Sequence, residues 1–199
     1  MRAIEFWFEF GSPYSYPAAA RAGAVCAAAG VELRWRPFLL GPLLRAQGYT
    51  DSPFNFYQLK GRYMWRDLER SCALLGLPWQ RPSVFPRNGL LAARVACRFQ
   101  DTPWLPAFAT AVFRANFVDD HDIADPAVIG ACLREAGQDP QTLIDVAQHP
   151  DAKRQLRDQT ERARSLGMFG APNFRVGDEL FWGNDRLEQA LQWLEHAAP

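Results

Sequence analysis

Several things are scarce in this chain of 199 residues, and each scarcity excludes a function class. The four cysteines, Cys26, Cys72, Cys97 and Cys132, stand 46, 25 and 35 positions apart, with no Cys-x-x-Cys pair and no His-x-Cys cluster. Zinc sites and dithiol exchange lose their usual ligand spacing. Three of the four sit among Ala, Val and Leu, the setting of inert buried thiols in a reducing, cytoplasmic compartment. An excess of one charge is also missing: 22 basic residues face 22 acidic ones, which argues against nucleic acid as the partner. Only Lys60 and Lys153 are lysines, an Arg bias that fits genome composition better than phosphate recognition. No apolar run approaches the ~18 residues of a membrane span. The start of the chain, acidic by Glu5 and alternating in polarity, reads as a strand and not as a signal peptide.

What is present is a globular composition, 48% hydrophobic and 22% charged, on a length that suits one core. Residues 3 to 10 alternate, with Ile4, Phe6, Phe8 and Phe10 on one side and Glu5, Trp7 and Glu9 on the other, so they predict a strand. Ser12 as N-cap and Pro13 at the first helical position then predict a helix over roughly 13 to 29. Val31, Leu33 and Trp35 give a second strand up to Pro37, parallel to the first because a helix crosses between them. From about 39 to 167 the apolar spacing is helical and prolines punctuate it. Residues 173–176 and 179–182 flank Gly177-Asp178, a loop suited to a type II′ hairpin, and a last helix follows Asn184-Asp185.

A β-α-β unit at one end and a hairpin with a helix at the other close into one four-stranded sheet only if the helices between them are an insertion. The expected fold is therefore α/β, thioredoxin-like, with a large inserted all-helical domain. Residues 1–38 and 168–199 would form the thioredoxin-like part, 39–150 the insertion, and a helix around 151–167 would lead back.

In such a fold the crevice lies at the carboxyl end of the first strand, where Ser12-Pro13-Tyr14-Ser15 stands. A helix N-terminus carries roughly half a positive charge and favours an anion there by about 0.3 to 1 kcal/mol. Ser12 could add a hydrogen bond or could merely cap the helix. Pro17 lacks the N–H for the Pro13 carbonyl and should kink or loosen the helix after its first turn. Ala171-Pro172 precedes a strand; a cis bond there would free the backbone of Ala171 to pair with an extended peptide, although trans is the commoner form.

Phe8 to Tyr16 (FEFGSPYSY), Lys60 to Met64 (KGRYM), Gly167 to Pro172 (GMFGAP) and Phe181 to Arg186 (FWGNDR) together resemble the 2-hydroxychromene-2-carboxylate isomerases, relatives of kappa-class glutathione transferases and of the DsbA-like thioredoxin fold. The resemblance runs nearly end to end, and the terminal motifs keep their order and spacing. It implies a glutathione site in which Ser12 hydrogen-bonds the cofactor sulfur and Ala171-Pro172 pairs with the tripeptide backbone. Asn184 and Asp185 would hold the γ-glutamyl end; Asn55 and Lys60 would reach the glycyl end. An unperturbed thiol of pKa ~8.5 is about 3% ionised at pH 7, and lowering it by two units takes roughly 2.7 kcal/mol.

The implied activity is a glutathione-dependent cis-trans isomerisation of a small aromatic carboxylate by reversible thiolate addition, with the cofactor recycled. Phe38, Tyr63, Trp65, Trp79 and Phe85 are candidates for the ring slot, with Arg87 or Asn88 for the carboxylate. His121, His149 and His196 lack a triad partner and read as solvated bystanders. A glutathione transferase that releases the adduct would use the same sulfur site, and a non-catalytic thioredoxin-like interaction module would use none of it. Exposed aromatics in the helical block would suit a homodimer.

Overall fold

The alternation at the start of the chain becomes β1 (Ala3–Phe8), the strand on which the rest is assembled. In the computed structural model, which describes residues 2–196, β1 pairs in parallel with β2 (Glu32–Pro37), setting Phe6 beside Trp35, and antiparallel with β3 (Asn173–Val176), setting Phe6 beside Phe174. β4 (Glu179–Trp182) returns on β3, giving the order β2-β1-β3-β4. The hairpin loop has positive φ at Gly177 only, 57°, as a type II′ turn requires.

One face of β1 carries Ile4, Phe6 and Phe8, all fully buried; Phe6 stacks on Phe8 at 5.2 Å and on Phe174 at 5.3 Å between ring centroids. The other face departs from the expected polar side, because Trp7 is also fully buried, packed with Phe38, Leu43, Ala163 and Met168. Glu5 shares that face. Burial alone would raise its carboxyl, but the Trp7 indole N–H and Arg175, Arg162 and Arg36 outweigh it and hold Glu5 below the usual range.

α1 spans Ser15–Ala28, two residues shorter at its start than predicted, with Tyr14 as an N-cap whose side chain makes no capping bond. Ser12 is therefore not the cap, and Pro17 falls at the third helical position, where an N–H has no partner inside the helix. Its missing N–H therefore costs no bond within the helix, and α1 runs unbroken from Ser15 to Ala28.

The helical block comprises α2 (Leu40–Ala46), α3 (Pro53–Phe56), α4 (Gln58–Leu74), α5 (Leu90–Arg98), α6 (Leu105–Phe117), α7 (Pro126–Glu135), α8 (Pro140–Gln148) and α9 (Pro150–Ser165). Its prolines are starts more than breaks. Pro53, Pro126, Pro140 and Pro150 each occupy a first helical position, behind Ser52, Asp125, Asp139 and His149, whose side chains accept the first free N–H groups. A single cluster of buried residues runs from Ile4, Phe6 and Phe8 into Phe108, Phe113 and Phe117 of α6, so sheet and helices share one core. After β4, a 3₁₀ turn (Asn184–Arg186) leads into α10 (Leu187–His196).

Candidate active site

The strand exit and helix start are joined by a tight turn in which the Ser12 N–H donates to the Glu9 carbonyl at 3.1 Å and the Ser15 N–H to the Ser12 carbonyl at 3.1 Å. Ser12 is 6% exposed, and its hydroxyl donates to the carbonyl of Ala171 at 2.9 Å. The Ala171–Pro172 bond is cis. The Pro172 carbonyl in turn accepts the Gly183 N–H at 3.0 Å, so residues 12, 171–172 and 183–185 meet at one end of the sheet. Gly183 takes φ of 126°, a backbone conformation that other residues adopt only under strain, and a Cβ there would also displace the Asp185 carboxylate.

Two backbone donors next to the Ser12–Ala171 bond in the chain are open. The N–H groups of Tyr14 and Ala171 have no hydrogen-bond partner among the described residues, although Ala171 is only 9% exposed. A buried donor left in that state costs about 1–3 kcal/mol unless solvent or a ligand meets it. At the helix end itself little else is open: Ser15 and Tyr16 donate to the carbonyls of Ser12 and Pro13, and Pro17 has no N–H.

The other predicted residues differ in how free they are. The Asn184 side-chain oxygen accepts from Arg21 of α1 at 3.1 Å, so this side chain ties the 3₁₀ turn to α1. Asp185 is mostly exposed, 3.5 Å from Arg186 and otherwise unpaired among the described residues. Asn55 donates its amide to Asp51 at 2.9 Å and to the Phe85 carbonyl at 3.2 Å, leaving its own oxygen open. The Lys60 ammonium lies 4.7 Å over the Tyr57 ring and pairs with no carboxylate among the described residues. Lys60 stands seven residues before Asp67 on α4, hence on one stripe of the helix and about 10 Å along it. Asp67 accepts the Tyr14 hydroxyl at 3.0 Å, which fastens α4 to the Ser12 turn. Burial first, and then Asp67, raise the Tyr14 phenol above its ordinary range.

The aromatic candidates divide. Trp65, Trp79 and Phe85 form one cluster, with centroids 6.0 Å apart for the two indoles and 4.8 Å for Trp65 and Phe85. Tyr63 lies outside it, exposed beneath Arg70. Phe38 is a correction: it is fully buried against Trp7 on the sheet face that α9 covers. Arg87 is another. Its buried guanidinium donates to the carbonyl and side chain of Asn116, to Ser83 and to Asp120, so no donor fork faces a substrate. Asn88 caps the Leu90 N–H at 3.0 Å. The Asn116 amide continues the network to the Phe10 carbonyl at 3.0 Å, which seats residues 85–89 on the Ser12 turn.

Sequence reasoning missed Tyr14, Asp67 and Glu9. Glu9, three residues before Ser12, is mostly buried; burial pushes its carboxyl up to about 7 against the lowering pull of the Gly11 and Ser12 amides. An acid between two phenylalanines at the exit of the strand was the available signal. The four thiols lie in the core, where burial pushes Cys26, Cys72 and Cys132 up to about 11 and Cys97 up to about 12. Among the described residues no three His, Cys, Asp or Glu side chains group as a metal site, and no helix is long and apolar enough to cross a membrane.

Sheet order and connectivity define a thioredoxin-like protein whose strand-to-helix turn carries Ser-Pro-Tyr-Ser and no thiol. The chain belongs to the family of the DSBA-like thioredoxin domain, which matches residues 3–195. It is 29% identical over 187 residues to a 2-hydroxychromene-2-carboxylate isomerase of Sphingobium xenophagum, covering 94% of this chain and 95% of that one. It is 26% identical over 201 residues to glutathione S-transferase kappa 1 of Homo sapiens, covering 94% and 88%. A solved 2-hydroxychromene-2-carboxylate isomerase structure superposes with a TM-score of 0.84 at 24% identity, over 98% of this chain and 95% of that chain.

Proposed function

We propose that this protein is an isomerase that uses glutathione as a recycled nucleophile on a small aromatic carboxylate of the 2-hydroxychromene-2-carboxylate kind. The observation that carries the reading is the buried Ser12 hydroxyl on the Ala171 carbonyl, with the N–H groups of Tyr14 and Ala171 unpartnered among the described residues, at a turn whose own chain supplies no sulfur. Such donors suit an anion and an extended peptide. When bound, glutathione supplies the sulfur nucleophile.

The residues divide the work. Ser12 turns its hydroxyl from the Ala171 carbonyl to the anion, a charge-assisted bond worth about 1.5–3 kcal/mol. Ala171, beside Pro172, holds the peptide backbone through the N–H and C=O thus exposed. Asp185 offers an open carboxylate to the γ-glutamyl ammonium; Asn184 holds the turn in place through Arg21. Lys60 and the free oxygen of Asn55 serve the glycyl end. Trp65, Trp79 and Phe85 offer flat apolar surface for an aromatic ring.

The test is turnover of 2-hydroxychromene-2-carboxylate with glutathione, following both the substrate and the free thiol. Conversion with the thiol undiminished supports the isomerase. Loss of one thiol per turnover points to the transferase chemistry of the kappa-class relatives. Absence of glutathione binding leaves a thioredoxin-like interaction module.

A further inference from the structure

Glu9 is the one acidic side chain of the Ser12 turn, and nothing above gives it work. Its carboxyl is held where two glycines leave room: one oxygen is 3.2 Å from the point a Cβ on Gly11 would occupy, and the other 3.6 Å from that point on Gly89. Among the described residues no cation forms an ion pair with it. From residues 85–89 the only cation is Arg87, which turns its guanidinium to Asn116, Ser83 and Asp120 and presents only its carbonyl to the turn. α1 contributes Ser15, whose hydroxyl faces the Glu9 N–H at 3.5 Å, and α6 contributes Asn116, spent on the Phe10 carbonyl. The Gly11 and Ser12 amides are the polar groups that remain to it.

We infer that Glu9 takes up the proton a thiol gives up on binding beside Ser12, so that one negative charge passes from carboxylate to sulfur and the turn never holds two. The S–H bond breaks with its electron pair left on sulfur, and the proton forms an O–H bond on the Glu9 carboxyl. Two anions at one end of a turn would repel each other; one proton shared between two sites avoids that cost. A carboxyl that titrates near 7 is also well placed to take a proton at neutral pH.

The inference rests on the glutathione reading and is tested by counting protons. At pH 8 a carboxyl of pKa about 7 is about nine-tenths ionised before binding, and a free thiol of pKa ~8.5 is about three-quarters protonated. Titration calorimetry with glutathione in buffers of different ionisation enthalpy gives the protons exchanged with the medium. The wild-type protein is expected to release close to none, Glu9→Gln about three-quarters of a proton, and Glu9→Asp again close to none. Equal release from wild type and Glu9→Gln overturns the role of Glu9 and leaves glutathione binding standing. No binding heat with the wild type overturns the glutathione reading and this inference with it.

Discussion

Replacing Ser12 with alanine removes one oxygen whose partner is known. In the free protein that hydroxyl donates to Ala171 at 2.9 Å between buried atoms. A neutral bond of this kind nets about 1 kcal/mol, so the variant should melt roughly 2–4 °C lower and remain folded at assay temperature. With an anion bound, the same hydroxyl donates to a charge and is worth about 1.5–3 kcal/mol, so its loss raises the pKa of a bound thiol by roughly 1 to 2 units. If the wild-type site brings that thiol to ~6.5, the thiolate fraction at pH 7 falls from about three-quarters to between about one-fifth and one-fiftieth, and kcat/KM falls with it, about 4- to 40-fold. Ultraviolet absorbance of the bound thiolate, followed against pH, reads the pKa directly. A bound thiol that titrates identically in wild type and Ser12→Ala refutes the role given to Ser12.

The mostly buried Glu9 carboxyl makes stability depend on pH with a definite sign. Its folded value of about 7 lies above the ordinary 4.5, so its stabilising contribution is complete below 4.5 and is lost as pH rises through 7. Glu9→Gln should match wild type near pH 4.5 and exceed it by up to about 3 kcal/mol at pH 8 in urea denaturation; parallel curves would contradict this. Gly61→Ala in α4 would set a Cβ 2.3 Å from the Phe54 carbonyl and should lose about 1–3 kcal/mol, whereas Gly23→Ala in α1 meets nothing within 4 Å and should gain about 0.5–1 kcal/mol. Tyr14→Phe should lose about 0.5–1.5 kcal/mol with the bond to Asp67, and Asp67→Ala should cost nearly nothing more in that background; a full additional loss would show that the two do not act as a pair.

What the sequence revealed follows from which interactions are local. Period-two alternation marked β1, β2 and the hairpin, and the Gly177 loop needs only its own φ. The start of α1 misled because Ser-Pro is a capping pair in isolation, yet the partner that claims the Ser12 hydroxyl is Ala171, 159 positions away. Trp7 seemed to belong to a polar face because alternation presumes water on one side, and α9 with residues 38–43 covers that side. The motif residues of the crevice could be singled out one by one, but the Arg21 contact that occupies Asn184 and the network that occupies Arg87 arise only after folding. Glu9 escaped notice for the same reason: residues 85–89, which bury it, are distant in the chain.

The geometry of α1 also shifts where the anion preference comes from. The sequence pointed to the helix start together with the Ser12 hydroxyl, but the Ser15 and Tyr16 amides are spent on the turn's own carbonyls and Pro17 brings none. The helix then acts on an anion through its dipole, about 0.3 to 1 kcal/mol, and not through a ring of open donors. Two units of thiol pKa require roughly 2.7 kcal/mol, more than the dipole offers and within reach once a charge-assisted hydroxyl adds about 1.5–3. Ser12 therefore carries the larger share, and the Tyr14 N–H, the remaining open donor at that end, supplements it. This ordering requires that Ser12→Ala raise the thiol pKa more than any substitution in the first turn of α1. A helix-start variant with the larger effect would return the anion preference to the helix.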